Sequence, residues 1–227
     1  MESRIILASS SPRRIEMMKK NGIEPAVMPS SADENCPFEL TMGQAVMFLA
    51  LKKALNVERQ LLDRLNETLP DERSGIRGKS DKKDTAAAAE PPAMPPCPSV
   101  IIAADTVVYK NGIIGKPVDE ADAVNTLKLL RNTNHFVATG VALMRPGEPK
   151  RSLFCDVTEV FFKDYSDEDI KRYVDTDEPW DKAGSYAIQG AWGKHVSHII
   201  GSYDNVMGFP WERIQSELRA SWPEISI

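Results

Sequence analysis

The sequence predicts an α/β fold, and three observations carry that prediction. Short apolar runs of strand type occur at residues 4–8 (RIILA) and 100–104 (VIIAA). Strand-like and helix-like segments alternate along the chain, and no internal repeat is visible. With 227 residues, 42% of them hydrophobic, the chain can bury one substantial core, and length alone allows one or two domains.

Residues 4–8 read as a short buried strand, broken by Ser9, Ser10 and Ser11. Pro12 then opens a helix to about Lys20, which Asn21 and Gly22 end. Proline suits the first helical turn because its missing N–H has no helical partner there. Residues 26–28 form a second short strand before the polar loop 30–37. From about Met42, Ala45, Phe48, Leu49, Lys52, Leu55, Leu61, Leu62, Leu65 and Leu69 recur at helical spacing, and Pro70 stops the helix. Residues 71–98 change character, with a charged stretch, an alanine run at 86–89 and the tail PPAMPPCP. Too little large apolar surface is present there to offset the ordering entropy, which predicts a flexible or extended insertion.

The run 100–104 is expected to be a central strand buried on both faces, interrupted at Asp105 and Thr106 and resumed at 107–109. A turn at Asn111-Gly112 and the segment Gly115-Lys116-Pro117 precede a helix over about 120–131. Residues 136–143, 153–162 and 197–200 read as strands, and 167–174 and 212–218 as helices.

Composition narrows the function. A formal net charge of −5 lacks the Lys/Arg surplus of a broad nucleic-acid surface. Cys36, Cys97 and Cys155 are odd in number, far apart and without a CxxC pair, which argues against a disulfide framework and for a reducing compartment. No apolar run approaches a membrane span, and the start MESRIILASSSPRR has too short an apolar stretch for a signal peptide. The expected setting is the cytoplasm.

Four groups of residues can carry chemistry. In SSSPRR (9–14), a strand feeding a Ser-rich turn and a helix N-terminus offers open N–H groups, hydroxyls and two arginines, a set that suits phosphate oxygens. The alternative is an ordinary capped helix with solvated arginines, and the glycines of a Walker loop are missing. Asp105 follows an interior apolar run, where a carboxylate is costly unless paired, hydrogen-bonded or metal-bound. Glu34, Lys53 and Lys116 have weight only together, as carboxylate for a divalent cation and ammonium for phosphate charge. The Gly-punctuated segments 181–190 (DKAGSYAIQG) and 201–210 (GSYDNVMGFP) are either turn-rich hairpin connections or site walls. Gln189 carries the donor-acceptor pair that can read a base edge.

Other residues read as structural. His195 and His198 form an H-x-x-H pair, but in an extended segment that spacing aims the rings at opposite faces. Trp192 and Trp211 are expected to pack rather than to stack on a ligand. The Gly-x-Ser-x-Gly nucleophile elbow is absent.

LASSSPRR, AADTVV, GKPVDEADA, DEPWDKAGSYAIQG and GSYDNVMGFP resemble, in the same order, the motif series of the Maf family. The resemblance runs from about Ile5 to Leu218 apart from the insertion, so the chain reads as one Maf-like domain over 1–227 carrying the insertion 71–98. It implies a mixed, elongated sheet flanked by helices, with two lobes around a cleft, similar to the inosine triphosphate pyrophosphatases. It implies a metal-dependent enzyme, using Mg²⁺ or Mn²⁺, that cleaves a nucleoside triphosphate to the monophosphate and pyrophosphate. Carried across by position, the general base falls on Asp105, the active-site lysines on Lys53 and Lys116, and the acidic metal position on Glu34 beside Asp105. The phosphate loop falls on Ser9, Ser11, Arg13 and Arg14. Arg13, Thr106 and Gln189 resemble the branch that prefers dTTP and UTP, and a homodimer is implied by the same likeness. Trp192 stands where a small residue is more usual, which suggests a narrowed base pocket and keeps a house-cleaning role on modified nucleotides in view. A non-catalytic nucleotide-binding regulator of cell division is the reading from another class, and retention of Glu34, Asp105 and both lysines weighs against it.

Overall fold

A computed structural model of the chain describes residues 5–36, 39–68 and 99–225, with backbone only for 65–68. The predicted insertion 71–98, the strand start at Arg4, and Cys97 lie outside the described residues. In chain order the elements are β1 (Ile5–Leu7), α1 (Pro12–Lys20), β2 (Ala26–Val27), α2 (Met42–Thr68), β3 (Val100–Tyr109), β4 (Ile113–Ile114) and α3 (Glu120–Leu130). They continue with β5 (Asn134–Met144), β6 (Arg151–Phe162), α4 (Asp167–Val174), β7 (Val196–Ile200), α5 (Tyr203–Val206) and α6 (Trp211–Ser221). Two 3₁₀ turns, Ala183–Ser185 and Ala191–His195, lie between α4 and β7.

The expected mixed α/β sheet is present, with seven strands in the order β2-β1-β3-β5-β6-β7 and β4 paired separately on β3. β2, β1 and β3 run parallel, and the pairs β3–β5, β5–β6 and β6–β7 are antiparallel. β3 is one unbroken strand, so the interruption expected at Asp105 and Thr106 does not occur. β5 holds both residues in register, Asp105 opposite Gly140 and Thr106 opposite Thr139. Pairing along that whole edge overrides the local preference of two polar residues to leave the ladder.

The other edge of β3 is only partly used, and this gap positions the site. β1 pairs with β3 at residues 100–102, and β4 pairs with it at 108–109. Because β5 occupies the opposite edge throughout, β1 and β4 share one edge and leave residues 103–107 without a strand partner between them. An open edge at the carboxyl end of a parallel strand is where α/β sheets form their crevices.

Side chains alternate across the sheet. Ile101 and Ala103 face α2 and pack on Ala50, Ala54 and Val57. On the other face Ile102 and Ala104 join Met17, Met18, Phe209, Ile214 and Leu218 beneath α1 and α6. Farther along, Val108, Val137 and Val160 meet Leu127, Ile170 and Tyr173 of α3 and α4. Between these two cores runs a polar seam: Thr106 Oγ1 contacts Thr139 Oγ1 at 3.0 Å, Thr139 donates to the Asn205 carbonyl at 3.1 Å, and Asn205 Nδ2 donates to Thr158 Oγ1 at 2.9 Å. Met207 packs against both apolar bodies and joins them across the seam.

α2 sits unusually close to β5. A Cβ on Gly140 would penetrate the Val46 backbone carbonyl, so only glycine allows the helix to rest on the strand there. Among the described residues, no helix is long and apolar enough to cross a membrane.

His135 is buried in the second core, its Nε2 2.7 Å from Tyr186 Oη. Burial first, and the charge of Lys110 second, draw its pKa from 6.5 down to about 3. The unfolded chain therefore binds a proton that the folded chain refuses between those values, and stability falls as pH drops through this window. The slope approaches about 1.4 kcal/mol per pH unit. Denaturant titrations between pH 6.5 and 4 are expected to show a shallower loss in His135→Gln than in the wild type; parallel slopes would remove His135 as the source.

Candidate active site

The open edge of β3 forms the floor of a cleft of about 710 Å³. All ten residues singled out in the sequence, Ser9, Ser11, Arg13, Arg14, Glu34, Lys53, Asp105, Thr106, Lys116 and Gln189, line this cleft. They come from six separate segments, which no local pattern could bring together. Five cations (Arg13, Arg14, Lys53, Lys116, Lys182) stand there against three carboxylates (Glu34, Asp105, Asp181). A chain with net charge −5 thus carries a cationic cleft, the polarity that attracts a polyphosphate.

The centre is an ion-pair triad. Lys53, on the face of α2 turned toward β3, places Nζ 2.5 Å from Asp105 Oδ1 and 2.8 Å from Glu34 Oε1. Asp105 is buried, which explains why it must be paired. Glu34 is exposed, and its carboxyl lies below the usual carboxylate range, held there first by the hydrogen bond and then by the charge of Lys53. Its loop is tied to α2 by Asn56, which accepts from the Ser31 N–H at 3.0 Å, and by a 2.7 Å ion pair between Lys52 and Asp33. The sequence offered no signal for Asn56, because its partners lie 25 residues away.

Opposite the triad stands the N-terminus of α1. Ser11 takes the N-cap position with Pro12 following, but its side chain makes no capping bond. The capped-helix alternative is thereby weakened, and Ser11, Pro12, Arg13 and Arg14 of this helix start all line the cleft. Ser9 Oγ accepts from the Ser11 N–H at 3.2 Å and from Arg14 at 3.1 Å, which shapes the turn.

Arg14 is committed to the protein. Its guanidinium donates to the Gly208 carbonyl at 2.8 Å, the Ala104 carbonyl at 2.9 Å, Ser9 Oγ at 3.1 Å and Thr106 Oγ1 at 3.1 Å. Four of its five donors are used, and burial brings its pKa down to about 10 despite the nearby Asp105. It braces the Ser9 turn, the strand before Asp105 and the 201–210 segment against one another. Thr106 is engaged in the same way, accepting from Arg14 and contacting Thr139. We expect Arg14→Lys, which cannot reach four acceptors from one ammonium, to lower kcat/KM about 100-fold through misplacement of the turn. Steady-state kinetics with a fold check by circular dichroism measure this, and wild-type kinetics would exclude the bracing role.

The far wall comes from the two Gly-punctuated segments, neither of which is a hairpin connection. Residues 181–190 wind through a 3₁₀ turn, where the Gly184 N–H donates to the Gly115 carbonyl at 3.0 Å and so ties the wall to the loop of Lys116. Lys116 and Gln189 are both exposed at the cleft, and no internal hydrogen bond of the Gln189 amide is among those described. Residues 201–210 form α5 and deliver the Gly208 carbonyl to Arg14. Lys182, which sequence reasoning passed over inside its motif, lines the cleft and donates to the Glu178 carbonyl at 2.9 Å.

Trp192 does not narrow the cleft. It is almost fully buried in the second core, with its ring against Tyr165, Tyr173 and His195. The larger side chain is accommodated by that aromatic cluster, and Trp192 is not among the residues lining the cleft. Trp211 is likewise core, stacked on Phe209. His195 packs on Trp192, whereas His198 lies exposed on β7 against Phe161, so the H-x-x-H rings serve separate surroundings.

The fold and cleft define the class: a mixed α/β protein with a cationic, carboxylate-bearing cleft cut into the edge of its central strand. The chain belongs to the Maf-like protein family, whose model matches residues 4–221. It is similar to the dTTP/UTP pyrophosphatase of Dictyoglomus turgidum, at 38% identity over 220 residues and 96% of each chain. The dTTP/UTP pyrophosphatase of Pelotomaculum thermopropionicum is 36% identical over 216 residues, 95% of each chain. That of Caldicellulosiruptor bescii is 36% identical over 217 residues, 95% of this chain and 94% of its own.

Proposed function

We propose that the protein is a nucleoside triphosphate pyrophosphatase that hydrolyses dTTP and UTP to the monophosphate and pyrophosphate. One observation carries the reading: the ten residues that the sequence offered for this chemistry converge on a single cationic cleft. Asp105 accepts a proton from water as its oxygen attacks the α-phosphorus. The bond from the α-phosphorus to the bridging oxygen breaks, and pyrophosphate leaves with its charge met by Arg13, Lys53 and Lys116. Ser9, Ser11 and the open N-terminus of α1 seat phosphate oxygens, with Arg14 and Thr106 behind them. Gln189 meets the base.

Divalent metal fits the donors present. Glu34 and Asp105 already share one cation, the Lys53 ammonium, so this position suits positive charge. Among the described residues no group of three His, Cys, Asp or Glu forms a closed cage. Two carboxylates supplemented by water and phosphate oxygens match the open coordination of Mg²⁺ or Mn²⁺. When bound, such an ion would neutralise phosphate charge and help pyrophosphate depart. The reading includes a cytoplasmic homodimer, which light scattering of the purified protein tests for its assembly.

The deciding experiment is a substrate panel with Mg²⁺ or Mn²⁺, detecting pyrophosphate and orthophosphate separately. Pyrophosphate released chiefly from dTTP and UTP is the expected result. Orthophosphate as the direct product would refute attack at the α-phosphorus, and binding without turnover of any nucleotide would favour a regulator.

A further inference from the structure

Gln189 can discriminate bases only if the backbone that carries it is fixed. Two side chains from outside the turn bind that backbone: Tyr173 Oη accepts from the Ala187 N–H at 3.2 Å before Gln189, and Glu178 accepts after it. Glu178 lies on the loop after α4, eleven positions before Gln189. Its carboxylate occupies the space beside Gly190 so completely that a Cβ on that glycine would coincide with Oε1. Oε2 accepts from the Ala191 N–H at 3.2 Å, at the start of the 3₁₀ turn 191–195. The Glu178 carbonyl accepts from Lys182 Nζ at 2.9 Å, on the opposite arm of the same wall. The backbone either side of Gln189 is closed by further bonds, Gly190 N–H to the Ala187 carbonyl at 3.2 Å and Gly193 N–H to the Gly190 carbonyl at 3.1 Å. Ile188 is buried just before Gln189, which leaves Gln189 as the exposed apex of a pinned turn.

We propose that Glu178 is a positioning residue for base recognition, acting through Gly190 and Ala191 to hold Gln189 against the nucleobase. The inference rests on the reading that Gln189 meets the base. Uracil and cytosine differ at two adjacent edge positions, an acceptor O4 against a donor amine and an N3–H donor against an N3 acceptor, and a primary amide distinguishes them only from a fixed position and orientation. With the carboxylate removed, the turn gains freedom, and the loss falls on discrimination and KM rather than on the chemistry at Asp105. Glu178 needs no contact with the nucleotide for this role.

The test is the ratio of kcat/KM for UTP over CTP in four variants of the full chain, each checked for fold by circular dichroism and thermal melting. Gln189→Ala sets the value for a site that does not read the base. Glu178→Ala is expected to lower the ratio about tenfold or more, toward that value, with KM for UTP rising more than kcat falls. Glu178→Gln keeps an acceptor of the same shape for the Ala191 N–H and is expected to retain most of the preference. Gly190→Ala, whose methyl group must displace the carboxylate, is expected to behave like Glu178→Ala and decides the matter should that variant fail to fold. A preserved ratio in Glu178→Ala or Gly190→Ala, with the ratio lost in Gln189→Ala, would overturn the positioning role while leaving base reading intact. An unchanged ratio in Gln189→Ala would overturn the base-reading assignment and the inference with it.

Discussion

Asp105→Asn is expected to reduce kcat by about 10³-fold, within the range general acid–base groups contribute, while the protein stays folded and still binds nucleotide. The substitution keeps the size of a side chain buried between β5 and α2 and removes only its charge and basicity. Lys53 keeps Glu34 as its partner at 2.8 Å, so the ammonium is not stranded. With divalent metal left out, removing one of the cleft's three carboxylates lowers repulsion toward phosphate, and nucleotide affinity is expected to hold or rise. Pyrophosphate release measures the first effect and calorimetric titration with dTTP the second. Near-normal turnover in the folded variant would sink the assignment of Asp105 as the base. Loss of turnover together with loss of binding would instead make Asp105 a binding group.

Gly140→Ala is expected to cost about 3 kcal/mol of stability, at the upper end for overpacking, and to impair activity as well. The added methyl meets the backbone of Val46 and Met47, which cannot rotate aside as a side chain could. α2 must therefore lift from β5. The same helix carries Lys53, whose reach to Asp105 depends on that close seating, and Asp105 stands directly opposite Gly140 in the ladder. One substitution thus couples the packing of the sheet to the ion-pair triad. Chemical denaturation reads the stability loss. Activity assayed well below the melting temperature separates a displaced Lys53 from simple unfolding, and unaltered kinetics there would show that the helix seat and the triad are independent.

Much of this architecture was legible in the sequence. α1 and α4 have the predicted bounds, because a proline at the helix start and the acidic run after Ser166 are local signals. The apolar run after Ser99 announced a central strand, and the order of five motifs pointed to the family that residues 4–221 match. Burial made Asp105 conspicuous for a reason that needs no structure: a carboxylate after five apolar residues must find a partner. Short-range information of this kind, helical period, caps and apolar runs, is written within a few residues of where it acts.

Tertiary structure decided the rest, because those outcomes depend on residues far apart in the chain. β3 continues through Asp105 and Thr106 only because β5 pairs with it there. The cleft exists because β1 and β4 share one edge of β3 and leave its middle open, which no strand can signal by itself. Arg14 reads in the sequence as a phosphate ligand, and the fold surrounds it with acceptors from residues 9, 104, 106 and 208. Trp192 reads as a change in the pocket, and the aromatic cluster of the second core encloses it. In each case the residue type was plain from the sequence, but its surroundings, and hence its hydrogen bonds and exposure, were set by long-range packing.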